Sequence, residues 1–264
     1  MSILSSNLPV DIKKQFMFES VPSEKSSGIS IVIPVRGTDR QKNLNYCISS
    51  LLLQNIEKME IIVSEEDIVP KINIDLFRRD SRVKKVFTKS SLKSFNKSIA
   101  INVGVSNSLY NKILMNDADI ITPAGYLKRI DTILDSYDCC FLGKEIYKVD
   151  LLGNSLLWRK KKRVDYFSGG SIAFTKKCFI DIGGMNEQFC GYGSEDCEFW
   201  ERINKLANIY ENRDSSFLHL NHKRIASLSV NADLYSKIVS TPMNKRLEQL
   251  KIDLNKRLKG AEIC

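Results

Sequence analysis

The chain has 264 residues, 43% of them hydrophobic, enough for one sizeable folded unit with or without an appendage. Its formal charge of +9 admits nucleic acid, an anionic membrane face or a phosphorylated substrate, but there is no zinc-finger spacing and no aromatic RNA-binding signature, so nucleic acid is not expected. No stretch is apolar for long enough to span a bilayer, the opening MSILSSNLPVDIKK lacks the pattern of a secretion signal, and seven cysteines without paired metal spacing suit a reduced cytoplasmic setting.

ISIVIPV (29–35) is a continuous apolar run and reads as a buried strand. DRQKNLNYCISSLLLQ (39–54) then sets Leu44, Cys47, Ile48, Leu51 and Leu52 at helical spacing. MEIIVSEED (59–67) is a second buried strand ending in acids, and RVKKVF (82–87) a third. FNKSIAINVGVSNS (95–108) reads as a helix, and NKILMNDADI (111–120) as a strand running into acids. PAGYLKRIDTILDS (123–136) opens on a proline suited to the first turn of a helix. The alternation predicts an α/β fold with a mainly parallel central sheet flanked by helices.

The rhythm changes after residue 137. DCCFLGKEIYKV suggests strand and hairpin, with Cys139-Cys140 as strand filler. GNSLLWRKKKRVDY (153–166) shows little periodicity and is expected to be a loop. FSGGSIAFT (167–175) reads as a strand with two glycines, and KKCFIDIGG as a short helix ended by glycine. CGYGSEDCEFW (190–200) is a pliable loop running into a helix with Phe199, Trp200, Ile203 and Leu206 on its apolar stripe. Residues 1–230 are taken as one domain, and 231–264 as a basic helical extension.

Three constellations carry chemistry. In an open α/β sheet, ligands bind at the carboxyl ends of strands. Asp117 and Asp119 sit at such an end, where two carboxylates can grip a divalent ion and its diphosphate; the plain alternative is a turn or helix cap. His219 and His222 are the only histidines. With carboxylates they suit Mn2+ better than Mg2+, or they simply hydrogen-bond near a strand end. Arg36 and Arg40 follow the first strand and could bind phosphate, or could line an exposed loop before a helix. No dinucleotide or P-loop glycine motif is present.

In order, these pieces resemble a GT-A glycosyltransferase. FSGGSIAFTKKCFIDIGGMNEQFCGYGSEDCEFWERI is similar to the galactosyltransferase C-terminal signature. That signature is shared by beta-1,4-galactosyltransferases, bacterial chondroitin polymerases and polypeptide N-acetylgalactosaminyltransferases. PVRGTDRQKNLNYCISSLL resembles the P-[FV]-R-x-R entry motif, and the likeness runs over about residues 29–224. It implies Mn2+, with Mg2+ as the alternative, held by Asp117, Asp119 and His222, with His219 as runner-up. Pro34, Arg36, Arg40, Glu65, Asn102, Asp117, Gly169 and Gly170 fall on the donor side. Glu195 and Tyr192 fall on the acceptor side, and Asp196 matches the catalytic base of inverting members.

Three positions depart from the pattern: SEED stands for D-D-G-S, Ser194 for a glycine, and Ile101 for an arginine before Asn102. The expected reaction is inverting transfer of a hexose or N-acetylhexosamine from a UDP-sugar to a glycan hydroxyl, in bacterial capsule or O-antigen synthesis. The acceptor is expected on a polyprenyl diphosphate, with the basic C-terminal segment either on an anionic membrane or simply solvated. Retaining transfer and a non-catalytic sugar-binding module are the alternatives.

Overall fold

The computed structural model describes residues 10–17, 27–54, 56–152, 155–163, 170–222 and 229–260. A short helix α1 (Val10–Gln15) precedes β1 (Ile29–Val35), α2 (Gln41–Leu52), β2 (Met59–Asp67), β3 (Val83–Lys89), α3 (Lys97–Ser106) and β4 (Lys112–Asn116). Then come β5 (Ile120–Ile121), α4 (Tyr126–Ile133), β6 (Cys139–Cys140), β7 (Gly143–Leu152) and β8 (Ser155–Arg163). The chain continues through β9 (Ser171–Thr175), α5 (Lys176–Asp181), α6 (Glu195–Leu206), β10 (Ile209–Tyr210) and β11 (Ser215–Leu220), and ends in α7 (Ser229–Val239) and α8 (Met243–Gly260).

The main sheet has the order β10-β6-β9-β4-β1-β2-β3. Strands β4, β1, β2 and β3 are parallel, whereas β9 runs antiparallel to both β4 and β6. Every residue of β1 and β2 is buried, the four acids of β2 included, as in a parallel sheet covered on both faces. Helix α3 lies across β1 and β2. Its Gly104 permits this, because a Cβ there would come within 2.3 Å of Val32 Cγ1.

A second sheet, β5-β11-β7-β8, was not foreseen. Residues 155–163, expected to be loop, form its edge strand, paired antiparallel to β7 from Leu152↔Ser155 to Glu145↔Arg163. The run of cations masks the alternation. Leu156 nevertheless packs into a small core with Tyr147, Val149, Leu218, Leu220, Ile12 and Phe16. Helix α4 starts at Tyr126, behind Gly125 at φ +72°, so Pro123 lies before the helix rather than in its first turn. Helix α8 buries Leu250 and Leu254 and packs on α3 and α5. Among the described residues, no helix is long and apolar enough to cross a membrane.

Candidate active site

The turn Asp117-Ala118-Asp119 sits where the chain leaves the main sheet for the second one. Backbone bonds fix it from both sides: Asp117 N donates to Gly170 O at 2.7 Å, and Leu220 N donates to Asp119 O at 2.8 Å. The Asn116 side chain donates to the carbonyls of Asp117 and Ile120, both at 3.1 Å. Helix α6 arrives opposite. Its N-cap, Ser194, has φ +71°, the left-handed region that glycine occupies without strain. That backbone explains why a glycine is usual at this place in the signature. The preceding loop is tied down by Gly191 N to Phe95 O at 2.8 Å, and by Asn231 Nδ2 to the carbonyls of Cys190 and Tyr192 at 3.2 Å.

Lys97, the first residue of α3, joins the two sides. Its Nζ lies 2.9 Å from Asp117 Oδ1, 3.2 Å from Asp196 Oδ2 and 3.9 Å from Glu195 Oε1. Burial alone would favour a neutral amine, but the three carboxylates outweigh it and hold the Lys97 pKa well above the usual range. Burial likewise opposes charge on Asp117, yet Lys97 keeps its pKa low. Burial, reinforced by Asp196, pushes Glu195 up to about 7. Asp196 is raised too, by burial and by Asp117's charge, against the pull of Lys97. Lys97 went unremarked in the sequence because an isolated lysine at a helix start carries no motif.

Beside this cluster, Asp119, His219 and His222 bring one ligand atom each within 4.8 Å of one another. His222 Nε2 lies 3.2 Å and His219 Nε2 3.9 Å from the Asp119 carboxylate, which also accepts from Arg40 at 2.9 Å. His219 Nδ1 is buried without a hydrogen-bond partner. One carboxylate and two imidazoles fit a borderline cation such as Mn2+. Asp117 stands outside this three-residue group, its Oδ1 turned to Lys97. Both histidines belong to it.

Pro34 is buried in β1 opposite Ser64. Arg36 donates to Glu66 at 3.0 Å and to the carbonyls of Ser94 and Leu92 at 2.9 and 2.6 Å. Glu65 accepts from the backbone N–H groups of Lys71 and Ile72. Asn102 spends its amide on Met185 and on Glu187 Oε1. Gly170 has φ +97°, and a Cβ there would lie 3.2 Å from Ile120 Cγ1 and 3.9 Å from Asp117 Oδ2. Gly169 lies outside the described residues. Tyr192 is 52% exposed, its ring open to solvent.

Residues 154–223 match a family model described as the N-terminal domain of galactosyltransferase. Beta-1,4-galactosyltransferase 7 of Drosophila melanogaster is 28% identical over 138 residues, 49% of this chain and 39% of that protein. Beta-1,4-galactosyltransferase 1 of Bos taurus is 24% identical over 220 residues, 76% of this chain and 45% of that protein. The chain thus spans less than half the length of either relative. Among solved structures, GalNAc-T7 with UDP, GalNAc and Mn2+ superposes with a TM-score of 0.62 at 12% identity, covering 89% of this chain and 55% of that one. The chain therefore has the GT-A glycosyltransferase fold and resembles the beta-1,4-galactosyltransferases, with Glu195, Asp196, His219 and His222 all inside the segment that the galactosyltransferase model matches.

Proposed function

We propose that the chain is an inverting glycosyltransferase that moves a hexose or N-acetylhexosamine from a UDP-sugar to a hydroxyl of a glycan acceptor. One observation carries the reading: Lys97 gathers Asp117 from the turn after β4 and Asp196 from the first turn of α6 onto a single ammonium. The donor would lie against Asp117, Arg40 and Gly170, with Arg36, Glu65, Asn102, Pro34 and Gly169 shaping its surroundings. The acceptor would lie against Glu195 and the Tyr192 ring.

Asp196 is the base in this reading. As the acceptor oxygen attacks the anomeric carbon, its proton passes to the Asp196 carboxylate. The bond from that carbon to the diphosphate oxygen breaks, and its electron pair leaves with UDP. A carboxylate of raised pKa is a stronger base than an ordinary aspartate, and such a base contributes about a hundred-fold or more. Lys97 and the helix N-terminus offset part of that rise. Glu195 orients the neighbouring hydroxyls. Mn2+, with Mg2+ as the alternative, held by Asp119, His219 and His222, would supply Lewis-acid neutralisation of the departing diphosphate.

We further assign the acceptor to a polyprenyl-diphosphate carrier at the cytoplasmic face of an anionic membrane, in capsule or O-antigen synthesis. Contact with that membrane would rest on Lys245, Lys251 and Lys256, which are exposed on α8. Arg246 and Arg257 of the same helix are instead paired with internal acids.

The test is a panel of UDP-sugars with Mn2+, read as UDP release, followed by NMR of the product's anomeric configuration. Asp196→Asn is expected to abolish transfer while UDP binding stays near the wild-type value. Wild-type turnover in that variant refutes the base assignment, and a retained configuration refutes inversion.

A further inference from the structure

Helix α1 and Phe16 just beyond it lie ahead of the motifs that carry the sequence resemblance. Ile12 and Phe16, one turn apart, are buried at 2% and 4% exposure, while Val10 and Met17 on either side are open to solvent. Both anchors enter the small core of the second sheet, beside Ile121 of β5, Val149 of β7, and Leu218 and Leu220 of β11. Successive residues of a strand face opposite sides. On the other side of the same two strands lie Ile120 and Phe217, which belong to the main core, and His219, which faces Asp119. The register Leu218↔Ile121 and His219↔Ile120 thus sorts one set of side chains onto α1 and the other onto the site.

A slip of one residue would exchange the two sets, turning His219 into the apolar core and a leucine toward Asp119. Strand β5 has only two residues, and so short a pair depends on packing against another element. Helix α1 supplies that packing. Gln15 adds a clasp across both strands: Ala124 N, just after β5, donates to its carbonyl at 2.7 Å, and Ser216 N of β11 donates to its Oε1 at 3.4 Å. Leu220 links the core to the site directly. Its side chain packs in the small core, and its N–H donates to Asp119 O at 2.8 Å.

We propose that Ile12 and Phe16 are positioning residues for the candidate metal group: packed against β5 and β11, they hold His219 in register with Asp119. This rests on the metal assignment within the glycosyltransferase reading and deepens it by giving the N-terminal helix a part in the site. The two anchors touch neither cation nor sugar; they act through the strands that carry the ligands. Outer partners that orient metal ligands govern about 10- to 100-fold of metal affinity, and apolar anchors one layer further out belong at the low end of that range.

The experiment uses the full chain with Mn2+ as the only ligand, free Mn2+ being read by electron paramagnetic resonance. Phe16→Ala is expected to weaken Mn2+ binding about tenfold, and Phe16→Leu, which keeps an apolar side chain there, to restore it. Leu254→Ala, a truncation in the main core on α8, is the reference for general loosening and should bind Mn2+ like the wild type. A metal-free readout runs beside it. The chain has two histidines, so the imidazole NMR signals report on the group directly. They are expected to move in Phe16→Ala and to stay in place in Leu254→Ala. Gln15→Ala, which leaves the small core full, replaces Phe16→Ala should that chain not fold, with a smaller change in the same direction. Wild-type Mn2+ affinity with unmoved imidazole signals in the folded variant overturns the proposal. So does an equal loss in Leu254→Ala. A wild-type chain that binds no Mn2+ overturns the metal assignment itself, while the imidazole signals still decide whether α1 sets the geometry of His219.

Discussion

At the scale of single residues, Glu195 is costly to the folded chain. A glutamate in the unfolded chain titrates near pH 4.3, whereas the folded chain, through burial and Asp196, raises Glu195 to about 7. Between those values the folded state keeps a proton that the unfolded state has lost, so stability falls as pH rises through this window and stays lowered above it. Glu195→Gln should therefore stabilise the chain, free of nucleotide and metal, by about 1–3 kcal/mol at pH 8 and by almost nothing at pH 4. Thermal melts at both pH values check this; an equal gain at both would show that the ionised carboxylate is not the cause. Ser194 next door adds strain of its own, since a non-glycine residue in the left-handed region costs about 1–2 kcal/mol. A strained residue and a buried acid side by side at a helix start are costs that folding alone does not explain.

At the scale of elements, α3 serves two ends of one helix. Its first residue, Lys97, holds the carboxylates, and Gly104, two turns on, lets the helix lie on β1. Alanine is worth about 1 kcal/mol over glycine in an ordinary helix interior. Here the added methyl would meet Val32 Cγ1 at 2.3 Å. Gly104→Ala is expected to destabilise by about 1–3 kcal/mol, the cost of overpacking, and to shift Lys97. A lower urea midpoint together with weaker UDP binding is the expected pair of results; a more stable variant would show that the helix moves aside freely. Asn102, placed on the donor side by the resemblance, lies on the same helix and donates to Met185 O and Glu187 Oε1.

At the scale of the whole molecule, α8 is bound to α6 through buried charge. Arg202 is fully buried, pairs with Glu198 and caps the carbonyls of Ile182 and Gly184. Arg246 of α8 then reaches Glu198 and Glu201, both at 2.7 Å. Arg246→Met removes one cation from this network but leaves Glu198 with Arg202 and Glu201 with Lys205, so it should cost about 1–3 kcal/mol. Urea unfolding checks this; an unchanged midpoint would show that α8 is not coupled to α6. Much of this architecture was legible in the sequence. The apolar runs of β1, β2 and β4 announced the parallel sheet. The second sheet was not legible, because five consecutive cations in β8 hide a strand whose apolar partners come from distant segments such as Ile12 and Leu218. Nor was the role of Lys97, which depends on contacts 20 and 99 positions away in the chain.

The cysteines turn this packing into a clock. Cys47, Cys139, Cys140 and Cys178 are buried in the main sheet and its helices, and burial pushes the thiols of Cys140 and Cys178 up to about 12. Cys190 and Cys197 flank the loop 191–194 and are only partly covered. A maleimide pulse should therefore mark the loop pair promptly and the sheet four only when the domain opens. Mass spectrometry of the marked peptides would then separate breathing of the loop from opening of the fold in a single sample.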